Sequence, residues 1–242
     1  TTDLKPTEFP KNIYVANYIP NTLTDYEKAN GYKLLFDGES TDSWKAAYAP
    51  AFPSKGWRVE DGKLIIGAAQ GDGHSTGGDI VTKEQYGAFD LSFEFKLAEG
   101  ANSGVKYFVT VTENKPGSAL GLEFQLIDDR NHPDAKAGIG GNRTLASLYD
   151  LVSAQKNNRF VRAAGQWNKA RIVVYPNNHV EHYLNGVKVL EYERGSKAYR
   201  DLVAISKYKE LPNFGEHAKG HILLQDHGNE VSFRSIKIKE LK

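Results

Sequence analysis

Residues 121–128 combine a carboxylate and an amide with apolar side chains in one short segment. In an extended strand alternate side chains share one face, so Glu123 and Gln125 would lie together, opposite Leu122 and Phe124. A carboxylate accepts hydrogen bonds from hydroxyl groups, and an amide both donates and accepts them. This pattern predicts a strand face that binds sugar hydroxyls. A solvated strand face is the alternative interpretation.

The same strand argues against an ordinary glycosidase. Such an enzyme usually needs two carboxyl groups about 5–9 Å apart, which residues i and i+2 or i+4 of one strand can supply. The residues two and four positions after Glu123 are Gln125 and Ile127, so this face offers no second carboxylate. A loop carboxylate such as Asp134 would have to fold back to complete the pair.

The turns around this strand add histidine, the side chain best suited to proton transfer near neutral pH. His132 lies in the polar loop 128–134, and His227 lies between the last two predicted strands. Ordinary turn chemistry is the alternative for each of them. His179 and His182 are three residues apart on another predicted strand. They would therefore face opposite sides, so we expect no shared metal and a surface position for both.

Composition excludes several other chemistries. The 242-residue chain has no Cys, which excludes disulfides, thiolate nucleophiles and Cys-ligated zinc. Its 31 basic and 30 acidic side chains leave a net charge of +1, which argues against nucleic acid as a partner. No apolar run approaches the ~18 residues of a membrane span. The glycine-rich segments 71–78 and 138–141 precede no clear helix, which argues against a phosphate-binding loop.

Strand signals dominate from residue 31 onward. Asp61-Gly62 joins two short β-rich runs as a hairpin turn, and 89–97 alternates apolar and polar residues, which predicts one buried and one solvated face. Further strands are predicted over 105–112, 122–127, 169–175, 179–184, 187–192, 221–225 and 231–238, with a bulge near Arg234 and Ser235. So many hairpin-connected strands favour two packed antiparallel sheets.

Helix signals are confined to two places. Thr24 and Glu27 form a capping box that predicts a short helix over 23–29, and Ser196 is a candidate cap for a second helix. We expect an N-terminal arm over 1–30 and a single β domain over 31–242. Because the chain opens with Thr and not with Met, we expect the mature form of an exported protein.

An ordered set of motifs resembles the 3-keto-disaccharide hydrolase domain family. It begins with Leu34-Leu-Phe-Asp-Gly-Glu-Ser-Thr-Asp-Ser-Trp44 and continues through 57–62, 102–104, 123–128, 147–149, 166–168, 184–186, 220–228 and 233–238. Each motif is short, but together they span the whole β domain in the expected order. The family usually has Arg-Asn where this chain has Arg234-Ser235.

The resemblance implies a concanavalin A-like β-sandwich, or jelly roll, in exported bacterial proteins that are periplasmic, outer-membrane-associated or extracellular. It also implies cleavage of glycosides whose ring carbon 3 is a ketone. Such a ketone acidifies the proton on carbon 2, so one base can remove it and the group on carbon 1 then leaves. Water can add back to give net hydrolysis. This chemistry needs no second carboxylate.

The chemistry that the resemblance implies suggests roles for the residues considered above, with Glu123 as base or ligand and the two histidines in proton transfer or metal binding. The candidate catalytic residues are Glu123, His132 and His227, and the candidate substrate-binding residues are Asn102, Lys106, Tyr107, Gln125, Tyr149, Gln225 and Arg234. Lys106 or Arg234 would stabilise the enolate, and the tyrosines would stack on the ring or donate to it. A core position is the alternative for Tyr107, and turn chemistry is the alternative for Asn102.

The sequence requires no cofactor. A divalent cation held by Glu123, Asp128 and a His is compatible with the residues, but no spacing demands it. The expected partner is a mono- or oligosaccharide. Because one fold can serve enzymes and lectins alike, a non-catalytic carbohydrate-binding module is the alternative function.

Overall fold

The computed structural model describes residues 17–69, 77–111, 119–157, 159–211 and 213–242. Most of the predicted arm (1–16) and most of the first glycine-rich segment (70–76) lie outside the described residues. The strands are Lys33–Leu34 (β1), Trp44–Ala46 (β2), Trp57–Glu60 (β3), Lys63–Ile66 (β4), Ile80–Thr82 (β5), Phe89–Leu97 (β6), Asn102–Thr110 (β7), Leu120–Ile127 (β8), Asn168–Val174 (β9), His179–Leu184 (β10), Val187–Glu193 (β11), His221–Leu224 (β12) and Val231–Glu240 (β13). The helices are Asp25–Ala29 (α1) and Lys197–Ile205 (α2), with a 3-10 helix over Pro133–Lys136.

These strands form two antiparallel sheets that pack face to face, which confirms the predicted sandwich. The larger sheet runs β11-β10-β9-β6-β13-β4-β3, with β1 paired to β13, and the smaller runs β2-β5-β12-β7-β8. Alternate side chains of both sheets meet in one apolar core. Phe93 of the larger sheet, for example, packs edge-to-face on Phe124 of the smaller sheet, with ring centroids 5.9 Å apart.

Clear local signals predict the observed elements well. The hairpin turn is confirmed, because Asp61 and Gly62 have φ angles of 48° and 69° between β3 and β4. β6 has the predicted bounds. The bulge in β13 is confirmed by a register shift between Arg234 and Lys237 and by the positive φ of Ser235.

The solvated face predicted for β6 is wrong at two positions. Asp90 and Ser92 are buried on the outside of the larger sheet. The Tyr32 hydroxyl donates to Asp90 at 2.6 Å, and the Arg171 guanidinium binds the same carboxylate through two nitrogens at 2.8 and 2.7 Å. The segment after α1 therefore covers this face, which alternation within β6 could not show.

The capping box of α1 is confirmed and has a second function. The Thr24 hydroxyl accepts from the Glu27 N–H at 3.1 Å, and the Glu27 carboxylate accepts from the Thr24 N–H at 2.8 Å. The same carboxylate forms a buried ion pair with Lys237 of β13. Burial acts to raise the pKa of Glu27, but the bonds from Lys237 and Thr24 outweigh it and lower that pKa overall.

A bulge in β7 sets which side chains reach the outside of the smaller sheet. Phe108 has a φ of 53°, and the register of β7 shifts between Tyr107 and Thr110. Tyr107 and Phe108 therefore both face the core, whereas Val109 joins a small apolar cluster on the outer face. Gly220 crosses directly over the bulge, where a Cβ atom would lie 2.3 Å from the Phe108 carbonyl carbon.

Candidate active site

A cavity of about 830 Å³ opens on the outer face of the smaller sheet. Glu123 of β8 stands directly opposite Lys106 of β7 in the strand register, and both side chains are almost fully buried. Side chains directly opposite each other on one face lie about 5 Å apart at Cβ. The cavity thus contains a buried carboxylate beside a buried ammonium.

Neighbouring residues hold the Glu123 carboxylate in place. A Cβ atom at Gly104 would lie 2.2 Å from Glu123 Oε1, so only glycine leaves room for the carboxylate there. The Gln125 amide, with its nitrogen toward Glu123, donates to Oε1 at 3.2 Å and to the Ser103 carbonyl at 2.9 Å. Gln225 also lines the cavity, and its buried Oε1 has no hydrogen-bond partner among the described residues. A buried acceptor without a partner is unusual in a folded protein and makes Gln225 a candidate ligand-binding residue.

The surroundings of Glu123 raise its pKa on balance. Burial is the largest cause and raises the pKa of Glu123, because the charged carboxylate loses hydration. Lys106 and Lys207 act to lower this pKa, Asp79 acts to raise it, and His227 acts to lower it. The result is a pKa above the ordinary value, which suits a general base that works nearer to neutral pH.

Asp79 brings a second carboxylate into the cavity, and the sequence reasoning missed it. Its Oδ1 accepts the Asp226 N–H at 2.9 Å, and the Asp226 carboxylate accepts the N–H groups of Gly77 and Gly78 at 3.0 and 2.9 Å. Burial raises the pKa of Asp79, against the opposing charge of Lys106. The sequence signal that could have identified Asp79 is its position, as an acidic residue between a glycine-rich segment and a strand.

Lys207 is the second residue that the sequence reasoning missed. It follows α2, and its Nζ lies 4.0 Å from the centroid of the Tyr149 ring and 5.1 Å from that of Tyr208. Lys207 as a whole is exposed. The protein around its ammonium nevertheless lowers the pKa of Lys207 by desolvation, while Glu123 acts to raise it. Tyr149 is not among the residues that line the cavity, but its ring contacts Lys207, which does line it.

Among the described histidines, His227 lines the Glu123 cavity. His132 is its neighbour, with imidazole centroids 6.4 Å apart, but its Nδ1 accepts the Asp134 N–H at 3.1 Å and caps the 3-10 helix. Burial lowers the pKa of His132, and the charge of His227 lowers it further. Of the two predicted histidines, His227 is therefore the one placed to exchange protons with a bound ligand.

Asp128 stabilises a turn instead of joining Glu123. Its carboxylate accepts from the Gly100 N–H at 2.8 Å, the Asn131 amide at 2.8 Å and the Arg130 N–H at 3.1 Å. Burial acts to raise the pKa of Asp128, but these bonds outweigh it and lower that pKa. Asp128 lines a separate cavity, so the predicted cation ligands Glu123, Asp128 and a His are not assembled.

Arg234 and Asn102 also lie away from the cavity. Arg234 is on the larger sheet, where it pairs with Glu94 and stacks on Trp167 with its guanidinium carbon 4.1 Å from the ring centroid. Asn102 is the first residue of β7 rather than a loop residue, and its N–H donates to Asn229 Oδ1 at 3.0 Å. The structure therefore leaves Lys106 as the predicted enolate-stabilising cation that reaches Glu123.

Tyr107 and His182 lie in the core between the sheets. The His182 Nδ1 donates to the Ala146 carbonyl at 3.0 Å, so its Nε2 accepts from the Tyr107 hydroxyl at 2.8 Å. The expected surface position of His182 is wrong, because the ring is fully buried on the inner face of β10. Burial lowers the pKa of His182 to about 4, so the ring is neutral. Tyr107 occupies the core position given above as its alternative.

One group of three candidate metal ligands occurs in the described part of the chain. His179, Glu181 and Glu191 on the larger sheet have ligand atoms within 4.8 Å of one another. Lys188 already pairs with both carboxylates, and the His179 Nδ1 binds Glu193 Oε1 at 2.7 Å. A divalent cation would compete with Lys188 there. Within the same residues, no helix is long and apolar enough to cross a membrane.

The fold defines the general class of the protein. The β-glucanase of Bacillus licheniformis shares the sandwich with a TM-score of 0.52 at 12% identity, covering 87% of this chain and 97% of that one. At this identity the likeness shows the fold alone, which is the concanavalin A-like jelly roll that the sequence analysis predicted.

Residues 31–239 match the 3-keto-α-glucoside-1,2-lyase-like domain, and the chain belongs to this family. A 3-keto-disaccharide hydrolase of Bacteroides thetaiotaomicron is 37% identical over 236 residues, covering 88% of this chain and 79% of the relative. A candidate glycosyl hydrolase of Parabacteroides distasonis superposes with a TM-score of 0.80 at 32% identity, covering 93% and 100% of the two chains. The protein is therefore a carbohydrate-active enzyme, a glycoside hydrolase or lyase.

Proposed function

We propose that the protein cleaves 3-keto-glycosides by removing the proton on carbon 2, with Glu123 as the general base. The observation that carries this proposal is a buried carboxylate that shares one cavity with two lysines, Lys106 and Lys207, whose charges both act on it. A base beside cations is the arrangement that carbanion chemistry needs. The cavity volume of about 830 Å³ lies within the usual range for small-molecule sites. The 3-keto-disaccharide hydrolase relative supports the substrate class.

The first step moves one proton. The C2–H bond breaks, the proton passes to the Glu123 carboxylate, and the bonding electrons form a C2–C3 double bond with negative charge on the carbon 3 oxygen. Lys106 lies directly opposite Glu123 and is nearly buried, so its ammonium would stabilise this enolate oxygen in a poorly solvated site. The raised pKa of Glu123 favours its acceptance of the proton.

The second step expels the group on carbon 1. The ketone re-forms, a double bond develops between carbons 1 and 2, and the C1–O bond breaks with its electrons on the departing oxygen. That oxygen takes a proton, and Lys207 and His227, which both line the cavity, are the proposed donors. Water adding across the new double bond gives net hydrolysis. Gln225 Oε1 would accept a sugar hydroxyl during these steps.

Asp79 favours a second candidate function. It places another carboxylate with a raised pKa in the Glu123 cavity, as the acid of an ordinary two-carboxylate glycosidase requires. In that mechanism Asp79 would protonate the leaving oxygen while Glu123 acted as nucleophile or base. The reaction would need no ketone on the ring.

A substrate panel separates these functions. The parent protein, Glu123→Gln and Asp79→Asn would each be incubated with matched 3-keto and unoxidised disaccharides, with and without a chelator, and the products weighed by mass spectrometry. We expect cleavage of the oxidised sugars alone and a loss of about 10²–10⁴-fold in Glu123→Gln, with smaller losses in Asp79→Asn.

Each other outcome has a definite meaning. Release of sugar from unoxidised substrates, abolished in Asp79→Asn, would support the two-carboxylate glycosidase and contradict our proposal. Binding without turnover of any disaccharide would leave a lectin-like module. A chelator-sensitive activity restored by a divalent ion would add a cation to the mechanism.

We further propose that the protein acts outside the cytoplasm, in the periplasm, on the outer membrane or in the medium. An oxidised glycoside released outside the cell would then be cleaved before uptake. Fractionation of the source cells with immunodetection tests this location, and recovery with cytoplasmic markers would contradict it.

A further inference from the structure

Beside the cavity, Arg143 joins two carboxylates, Asp134 of the 3-10 helix and Asp150 of a later turn. Its Nε donates to Asp150 Oδ1 at 2.7 Å, and its Nη1 donates to Asp134 Oδ1 at 2.9 Å. The side chain of Asp150 is only 8% exposed, and those of Arg143 and Asp134 are 24% and 21% exposed. These ion pairs are therefore less screened than surface pairs.

Each carboxylate fixes a different part of Lys207, one directly and the other through Tyr149. Asp150 Oδ2 accepts the Lys207 N–H at 2.8 Å and fixes the main chain. Asp134 Oδ2 accepts the Tyr149 hydroxyl at 2.9 Å and fixes the ring that lies 4.0 Å from the Lys207 Nζ. The Tyr149 N–H donates to the Glu123 carbonyl at 3.0 Å, so this ring is aligned with the strand that carries the base.

We propose that Arg143, Asp134 and Asp150 form a positioning unit that holds the Lys207 ammonium toward Glu123 in the active cavity. The inference rests on the proposed function, because it concerns the same base. The three residues act through Lys207 and Tyr149, so they are positioning residues rather than catalytic ones.

The charged groups around Glu123 differ in how firmly they are held. They are Lys106 from β7, Lys207 after α2, Asp79 before β5 and His227 after β12. Lys106 is part of the sheet and almost buried, whereas Lys207 is an exposed side chain just beyond a helix. Its place therefore depends on the Asp150 bond to its N–H and on the rings of Tyr149 and Tyr208. Without them Glu123 would lose a counter-charge, and the proposed elimination would lose a proton donor.

A double-mutant cycle tests the unit. Asp150 has a φ of 63°, which Asn tolerates, so Asp150→Asn removes the charge with little backbone strain. We expect this change to lower kcat/KM on a 3-keto-disaccharide by about 10- to 100-fold. The acidic limb of the kcat/KM pH profile should move to higher pH, because Glu123 loses a counter-charge. In a Lys207→Gln background the same change should have almost no further effect, because both substitutions remove one interaction.

The matched control is Arg200→Gln, which breaks the exposed Arg200–Glu216 ion pair of α2. Arg200→Gln should leave the acidic limb of the kcat/KM pH profile at the same pH as in the parent protein. Infrared difference titration of the Glu123 carboxyl, with Glu123→Gln as the reference, gives a readout that does not depend on turnover. Asp150→Asn should move this titration to higher pH as well.

The outcomes separate this inference from the proposed function. If no keto-sugar is cleaved but the infrared titration moves, the proposed function fails and the positioning unit stands. If Asp150→Asn moves neither readout, or its effect adds in full to that of Lys207→Gln, the positioning unit is refuted. Should Asp150→Asn fold poorly, Tyr149→Phe removes only the bond to Asp134 and should produce the same changes at smaller size.

Discussion

Gly104→Ala should displace the base while leaving the fold intact. The added Cβ would lie 2.2 Å from Glu123 Oε1, 2.8 Å from its Cδ and 2.9 Å from its Cγ. The backbone of Gly104 is not in the left-handed region, so alanine is compatible with β7. The side chain of Glu123 must therefore yield, because it is the flexible partner in this contact.

The size of the effect follows from that distance. The carboxylate has to retreat by about 1 Å to restore an ordinary van der Waals separation. A misplacement of about 1 Å at a reacting group can cost about 100-fold in rate. Stability should change by no more than about 1 kcal/mol, because alanine also lowers the entropy of the unfolded chain. In this variant the activity should therefore fall while the free energy of unfolding stays close to that of the parent protein.

The assay is kcat/KM on a 3-keto-disaccharide beside a urea unfolding curve of the same preparation. Gly67→Ala is the matched control, since its Cβ meets only the flexible end of Arg58 at 3.3 Å and the Gly56 carbonyl at 3.6 Å, away from the cavity. A folded Gly104→Ala protein with activity within threefold of the parent would refute the claim that catalysis depends on the position of Glu123.

Three further predictions concern the framework. Lys237→Met leaves the Glu27 carboxylate buried without its counter-charge and should cost about 3–5 kcal/mol of unfolding free energy in urea; no loss would contradict a buried pair. The pKa of His182 is lowered to about 4, so the folded state resists its protonation, and up to about 3 kcal/mol of stability, present above pH 6.5, should be lost as pH falls toward 4. His182→Gln should flatten that part of the stability curve, and an unchanged slope would contradict the neutral core ring. Gly220→Ala sets a Cβ 2.3 Å from the backbone of Phe108 and should cost about 3 kcal/mol, whereas a melting temperature equal to the parent's would contradict the close crossing.

Much of the sandwich was predictable because its signals are local. The alternating residues of β6 and the Asp61-Gly62 turn are local signals, and the strand bounds and the turn are both observed, although the outer face of β6 is covered at Asp90 and Ser92. β1, β2 and β5 are two or three residues long and were not predicted, since so short a strand shows no period. Their positions are set by pairing with distant strands.

The candidate site was predictable in part for the same reason. Lys106, Glu123, Gln225 and His227 lie on or just after strands that carry recognisable motifs. Asp79 and Lys207 reach the same cavity from a loop and from the end of a helix. Their approach depends on contacts between segments far apart in the chain, which no local pattern encodes.

Alternation also has a limit that explains two errors. It predicts which residues share a face of a strand, but not whether that face lies against the core or in which sheet the strand pairs. His182 therefore proved to be a buried core residue, and Arg234 proved to lie on the larger sheet, away from Glu123. Only the pairing of the strands resolves such cases.

The most direct test of proton removal by Glu123 uses a 3-keto-disaccharide that carries deuterium on carbon 2. Our account predicts that the deuterated sugar is cleaved more slowly than the unlabelled sugar, that its deuterium passes from carbon 2 to the solvent, and that Glu123→Gln neither cleaves the sugar nor releases the label faster than a protein-free control. Cleavage by the parent protein with the deuterium kept on carbon 2 of the product, at the same rate as the unlabelled sugar, would contradict it.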